Sequence, residues 1–86
     1  MKVKFQDDFH RDYAKLPIVI KKAFDKKYSL MKLNMRHPSL RIKKIQGHEG
    51  VFEGSVNMKY RFTFQFMEGG IIFRKIGNHD ETLDNP

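Results

Sequence analysis

The fold is decided by the stretch Val51–Ile76, which reads VFEGSVNMKYRFTFQFMEGGIIFRKI. Apolar and polar residues alternate over Val51–Asn57 and again over Tyr60–Phe66. A third, more apolar run, Ile71–Ile76, follows the pair Gly69-Gly70. A period of two is typical of strands with one buried face, and short glycine-containing connections are typical of hairpins. The sequence therefore predicts three consecutive antiparallel strands.

The residues before this stretch predict one strand, two helices and a further strand. Alternation over Lys2–Phe5 indicates a strand, and apolar residues at helical spacing indicate helices over about residues 8–15 and over Pro17–Leu33. Arg41–Gln46 is expected to be a basic strand ahead of a turn at His48–Gly50. The predicted fold class is α+β in the order β-α-α-β-β-β, an antiparallel sheet with both helices packed on one face.

The other face of this sheet is expected to be open and polar, because no second layer is predicted to cover it. Function is therefore expected on this face. Its side chains would be Glu53, Ser55, Arg61, Thr63 and Gln65.

Length and composition exclude several classes of protein. With 86 residues the chain is too short for two cores, so residues 1–83 are predicted to form one domain and 84–86 a tail. The acidic stretch Glu81–Pro86 is expected to be loosely ordered. No cysteine is present, and the four histidines lack metal-ligand spacing, so neither a metal nor another cofactor is predicted. No membrane-spanning run or signal peptide is apparent, which predicts a cytoplasmic protein without a membrane partner.

The net charge of +7 is concentrated in the first half of the chain. Residues 1–46 carry 13 basic and 4 acidic side chains, whereas residues 47–86 carry 4 and 6. Such a distribution indicates either a site for a polyanion or acidic protein, or a well-solvated lysine-rich surface. The densest part has no acidic residue and contains Lys26, Lys27, Lys32, Arg36, Arg41, Lys43 and Lys44.

Arg61 is the strongest single candidate for a functional residue. It lies in the middle of a predicted strand, with its side chain on the face expected to be open. It either forms a cross-strand pair with Glu53 or holds a phosphate group, since the planar guanidinium matches phosphate oxygens.

Three further residues are candidates for proton transfer or charge neutralisation. His79 follows the last strand beside Asp80, where it either exchanges protons near neutral pH or is a surface residue without a role. Alternation puts Lys43 and Lys44 on opposite faces, so at most one is expected near Arg61. Together these groups match metal-independent RNA cleavage, which requires proton transfer and neutralisation of a charged phosphorane.

Three motifs then follow one another in a basic chain of this element order. They are His37-Pro38-Ser39-Leu40 before Arg41–Gly47, Tyr60-Arg61-Phe62-Thr63-Phe64, and Ile76-Gly77-Asn78-His79-Asp80. In this order and spacing, from Lys2 to about Leu83, the sequence resembles the RelE/ParE superfamily of toxins from bacterial type II toxin–antitoxin systems.

The resemblance implies a RelE-like toxin. Such a protein is a metal-independent endoribonuclease, or mRNA interferase, that cleaves mRNA at the ribosome, inhibits translation and is neutralised by a cognate antitoxin. The charge of this chain predicts an acidic antitoxin segment that wraps around the basic helix and the functional face, or displaces the His79 tail from it. A ParE-like inhibitor of DNA gyrase, a family member that acts only by binding, and a plain nucleic-acid-binding module are the alternatives.

The resemblance also implies roles for individual residues. Arg61 matches the arginine that binds the scissile phosphate, and His79 matches a catalytic position after the closing glycine. Lys43 and Lys44 match basic residues on the strand before the Gly47 turn. Glu53 replaces a lysine of the best-known ribosome-dependent member, and is either a base or the partner of Arg61. The residues expected to bind RNA are Lys32, Arg36, Arg41, Lys43, Lys44 and Arg61.

Overall fold

The structure is a computed structural model that describes residues 1–86, and it contains five strands and three α-helices. The elements are β1 (Lys2–Phe5), α1 (Asp7–Ala14), α2 (Ile18–Leu33), β2 (Lys43–Lys44), β3 (Val51–Ser55), β4 (Tyr60–Met67), β5 (Gly70–Asn78) and α3 (His79–Asp84). A 3₁₀ turn, Pro38–Leu40, lies between α2 and β2. The predicted α+β class is confirmed, and both predicted helices lie within one residue of the observed bounds.

The strands form one sheet in the order β1-β5-β4-β3-β2. The pairs β2–β3, β3–β4 and β4–β5 are antiparallel, as predicted. The sheet is nevertheless mixed, because β1 pairs with β5 in the parallel sense. The two helices separate β1 from the later strands, so β1 joins the free edge of the last strand instead of a hairpin partner.

The hydrophobic core lies between α1 and α2 and one face of the sheet, here called the first face. Phe9 of α1, Phe24 of α2, and Phe62 and Phe73 of the sheet are at most 2% exposed. Their ring centroids lie 5.4–5.7 Å apart in tilted and edge-to-face arrangements. Such aromatic pairs stabilise a core by about 0.5–1.5 kcal/mol each beyond the burial of area. This cluster fixes both helices against the sheet.

Helix α1 also covers the edge of β5 beyond the end of β1. The pairing of β1 with β5 ends at Phe73, and the N–H group of Ile76 donates instead to the Asp12 carboxylate at 3.3 Å. Lys75 forms an ion pair with Asp8 at 3.1 Å, and its hydrogen bond and charge lower the pKa of Asp8 from its ordinary value. The side chains of α1 therefore occupy part of an edge that would otherwise be open.

The basic strand predicted over Arg41–Gln46 is much shorter in the structure, where only Lys43 and Lys44 pair with β3. The 3₁₀ turn buries Leu40 completely and ends at Arg41 in the left-handed conformation, with φ 49° and ψ 44°. A left-handed residue cannot continue a strand, so pairing begins only after it.

The second face of the sheet, opposite the core, is not open, and that prediction is wrong. Glu53 and Ser55 are 6% exposed and Thr63 is 0% exposed. The stretch expected to be loosely ordered is folded over this face: α3 contacts β4 and β5, and Pro86 is buried. The main-chain oxygen of Pro86 accepts hydrogen bonds from Thr63 Oγ1 at 2.9 Å and from Arg74 Nε at 3.1 Å.

Helix α3 has a local start signal and a tight contact with the sheet. The Asn78 side chain caps the helix by accepting a hydrogen bond from the Glu81 N–H group at 3.0 Å. Thr82 is 5% exposed and lies over Gly77, where a Cβ atom would come within 2.9 Å of Thr82 Oγ1. Glycine at position 77 therefore allows α3 to pack directly on β5.

We predict that Gly54→Ala destabilises the fold. Gly54 pairs with Phe62 across β3 and β4, and a Cβ atom at position 54 would overlap the Phe62 ring in the core. The free energy of unfolding should fall by about 1–3 kcal/mol, as for other overpacked cores. Urea unfolding measures this loss, both in the wild type and in a Phe62→Leu variant that lacks the aromatic ring. An equal loss from Gly54→Ala in both backgrounds would contradict the role of the Phe62 ring.

Candidate functional site

The register of β2 with β3 separates the two candidate lysines. Lys43 pairs with Glu53, and Lys44 pairs with Phe52. Because directly paired residues point to the same side of a sheet, Lys43 lies on the second face with Glu53 and Lys44 lies at the margin of the first face. Both lysines are exposed. The structure therefore brings Lys43, and not Lys44, to the face that carries Arg61.

Arg61 and Glu53 form an ion pair on the second face. Arg61 Nε lies 3.7 Å from Glu53 Oε1, and the two side chains are only 16% and 9% exposed. Arg61 Nη1 also donates to the main-chain oxygen of Tyr60 at 3.0 Å and to that of Asn57. The predicted pairing of Arg61 with Glu53 is thus present. The hydrogen bonds from Nη1 hold the guanidinium against the β3–β4 turn, and Nη2 makes no hydrogen bond within the chain.

Arg61 lines a cavity of about 320 Å³ at this end of the sheet, here called the Arg61 cavity. Ser55 contributes a buried hydroxyl group, which donates to the main-chain oxygen of Asn57 at 2.9 Å. Three of the lining residues are cationic and none is acidic. The lining residues are Lys27, Ser39, Arg41, Ser55, Asn57, Met58 and Arg61.

His79 occupies a different cavity at the start of α3. Its main-chain N–H group donates to the Lys59 oxygen at 2.8 Å, and its Nδ1 atom lies 3.1 Å from Asp80 Oδ1. The side chain is 51% exposed. When Asp80 accepts a hydrogen bond from Nδ1, the Nε2 atom remains available to exchange a proton with a ligand. Met58 lines both this cavity and the Arg61 cavity, so the two are neighbours on either side of the β3–β4 turn.

Four of the predicted RNA-binding residues lie outside both cavities: Lys32, Arg36, Lys43 and Lys44. Lys32 Nζ lies 4.6 Å from the centre of the Tyr28 ring in a cation–π contact on α2. Arg36 is exposed after the end of α2. The basic stretch predicted from the sequence is therefore dispersed over several surfaces, and only Lys27 and Arg41 of that stretch line the Arg61 cavity.

Lys27 and Ser39 line this cavity although neither was predicted to be a site residue. Lys27 Nζ donates to the main-chain oxygen of Ser39 at 2.8 Å, which joins α2 to the 3₁₀ turn. The contact spans twelve residues, so no local pattern predicts it. The only signal in the sequence is that Lys27 belongs to the stretch from Lys26 to Lys44, which contains no acidic residue.

The structure has neither a cluster of metal-binding side chains nor a membrane-spanning helix. No three histidine, aspartate or glutamate side chains converge in a way that could hold a metal ion. None of the helices has the length and apolar character needed to cross a membrane.

Comparison with solved structures defines the class of fold. A chain of the RelB–RelE antitoxin–toxin complex from Methanococcus jannaschii is similar, with a TM-score of 0.74, 24% identity and coverage of 96% of this chain and 99% of that chain. YafQ from Escherichia coli strain BL21(DE3) gives a TM-score of 0.78 at 12% identity, covering 93% and 94%. The YoeB/ParE toxin from Agrobacterium tumefaciens gives 0.75 at 13% identity, covering 92% and 99%.

These similarities extend over nearly the whole of each chain, and the similar structures include an antitoxin–toxin complex and a toxin. The chain has the RelE/ParE fold, which confirms at the level of the fold the resemblance found in the sequence. No protein-family model matches the sequence, and no curated protein matches it.

We predict that Arg61 and Glu53 are energetically coupled. Arg61→Met leaves the Glu53 carboxylate buried without its cation, which should lower the free energy of unfolding by about 1–3 kcal/mol. Adding Glu53→Gln should restore part of this loss, because the uncompensated charge is then removed. Urea unfolding of the wild type, both single variants and the double variant measures the coupling. Additive losses would show that the two side chains act independently.

Proposed function

We propose that this chain is a RelE-like toxin: a metal-independent endoribonuclease that cleaves mRNA, acts at the ribosome, and inhibits translation. The observation that carries the proposal is the guanidinium of Arg61, held by Glu53 and facing a cation-lined cavity within a RelE/ParE fold. A cytoplasmic location follows from the proposed substrate. The similar structures include toxin–antitoxin complexes, which supports a cognate antitoxin as the partner.

The proposed reaction is a transfer of the phosphoryl group within the RNA. The ribose 2′-OH attacks the adjacent phosphorus and loses its proton to a base. The bond from phosphorus to the 5′-oxygen then breaks, and that oxygen takes a proton from an acid. The products are a 2′,3′-cyclic phosphate and a 5′-hydroxyl, so no water, metal or redox partner is consumed.

The geometry suggests how the roles are divided. Arg61 would neutralise the phosphorane through Nη2, which is not engaged within the chain, and Lys43 would add positive charge on the same face. Glu53 is nearly buried against Arg61, which favours an orienting role over that of a base. His79 is half-exposed and backed by Asp80, which favours it as the proton-exchanging residue.

A ParE-like inhibitor of DNA gyrase is the second candidate. The observation that favours it is the placement of Arg61 and His79 in two cavities instead of one. Such a protein would bind its target without cleaving RNA. It would cause DNA damage and filamentation of cells before any arrest of translation.

We predict that Arg61→Ala and His79→Ala each reduce mRNA cleavage on translating ribosomes by roughly 100-fold or more. Lys43→Ala should reduce cleavage and Lys44→Ala should not, because the two side chains lie on opposite faces. His48→Ala is the matched histidine control, since His48 is exposed in the turn before β3. Primer extension locates the cuts, and circular dichroism confirms that each variant is folded.

Unchanged cleavage in both Arg61→Ala and His79→Ala would exclude the proposed active site. DNA damage in cells that express the wild type, with intact mRNA, would favour the gyrase inhibitor instead.

We predict that salt slows association of the chain with its antitoxin much more than it speeds dissociation. The charge of +7 should steer an acidic partner, whereas apolar contacts should set the lifetime of the complex. The Debye length falls from about 30 Å at 0.01 M ionic strength to about 8 Å at 0.15 M, so the association rate should fall roughly tenfold or more. Stopped-flow measurement of the purified pair tests this. A flat association rate would mean that the basic stretch is only a solvated surface.

A further inference from the structure

The Arg61 cavity brings together three cations that are far apart in the sequence. Lys27 comes from α2, Arg41 follows the 3₁₀ turn, and Arg61 comes from β4. Like charges in a shared cavity repel one another, and no acidic side chain lines the cavity to balance them. Only Arg61 has an acidic partner, so the positive charges of Lys27 and Arg41 are not neutralised within the chain.

Arg41 has an unusual backbone conformation. It is the only residue other than glycine with a positive φ, 49°, and this conformation costs about 1–3 kcal/mol for a residue with a side chain. Glycine or asparagine is the usual residue at such a helix end. The Arg41 side chain is exposed and makes no ion pair within the chain. Its guanidinium is thus placed at the cavity at a cost to stability, without a structural contact that would compensate.

The Lys27 side chain is held at the same cavity by a hydrogen bond. Its Nζ atom donates to the main-chain oxygen of Ser39 at 2.8 Å, which leaves two N–H groups for a ligand. The side chain is half-buried, so less of its conformational freedom remains to be lost on binding than for an exposed lysine.

We propose that Lys27 and Arg41 form a second phosphate subsite, which binds the phosphate next to the one held by Arg61 on single-stranded RNA. The inference rests on the proposed function for the choice of RNA. A phosphodiester backbone is favoured over an acidic protein segment because the cavity is lined by polar and charged groups, with Met58 as the one apolar side chain. Partner proteins generally bury apolar anchors at such points, whereas nucleic-acid backbones bind through charge.

The decisive variant is Arg41→Gly, because it should weaken RNA binding without lowering the stability of the fold. Glycine adopts a positive φ without strain, so the variant should be at least as stable as the wild type in urea unfolding. The probe is a 2′-O-methyl RNA oligonucleotide, which lacks the attacking 2′-OH and cannot be cleaved. The affinity of Arg41→Gly for this oligonucleotide should be roughly tenfold lower than that of the wild type, as for a lost charge-assisted contact. The slope of log K against log salt should become shallower by about 0.7.

Lys27→Met should weaken binding in the same way, and Lys26→Ala is the matched control, since the exposed neighbour Lys26 does not line the cavity. Wild-type affinity in Arg41→Gly, or failure of the wild type to bind the oligonucleotide, would overturn the subsite. A fall in stability that parallels the loss of binding would overturn it too. Tighter binding of a polyglutamate peptide than of RNA would instead assign the cavity to a protein partner.

These outcomes are independent of the cleavage experiment. If Arg41→Gly weakens RNA binding while Arg61→Ala and His79→Ala leave cleavage unchanged, the subsite stands and the proposed active site fails. If the active-site variants lose cleavage while Arg41→Gly binds RNA normally, the proposed function stands and the subsite fails.

Discussion

The pairing of β4 with β3 on one side and β5 on the other is the constraint on which the other features depend. Successive residues of β4 face opposite sides of the sheet, so Phe62 and Phe64 enter the core while Arg61 and Thr63 enter the second face. A slip of one residue would bury Arg61 among the phenylalanines and expose the rings. The aromatic contacts with α2 and β5 therefore position the candidate site as well as the fold, because they prevent that slip.

Charge at the Arg61 cavity is arranged around one neutralised pair. Glu53 offsets Arg61 where both are nearly buried, a setting in which an isolated charge would be strongly destabilising. The cations farther out, Lys27 and Arg41, have no such counter-ion. The result is a guanidinium with a fixed orientation at the inner end of a positive cavity. Fixed donors of this kind are suited to an anion whose charge increases during a reaction, since they need no reorganisation when it does.

Local periodicity accounts for the features that could be predicted from the sequence. Alternation in β3 and β4 placed Glu53 and Arg61 on one face, and alternation in β2 separated Lys43 from Lys44, because each depends only on neighbours in the chain. The parallel pairing of β1, the cover formed by α3, and the hydrogen bond from Lys27 to Ser39 were not predicted. They depend on contacts between distant residues, such as the hydrogen bond from Thr63 to Pro86 across 23 positions. Polar segments held by such bonds have no apolar period that a sequence pattern would show.

The β3–β4 turn connects the two candidate cavities. The Lys59 oxygen accepts a hydrogen bond from the main chain of His79, and the Asn57 oxygen accepts one from Arg61. Both groups are therefore positioned by the same few residues, although neither touches the other. The position of His79 also depends on the docking of α3, which requires the absence of a side chain at Gly77 and contacts through Thr82. A ligand that moved the turn or lifted α3 would change the separation of Arg61 and His79 without unfolding the core, because the aromatic contacts that stabilise the sheet lie on its opposite face.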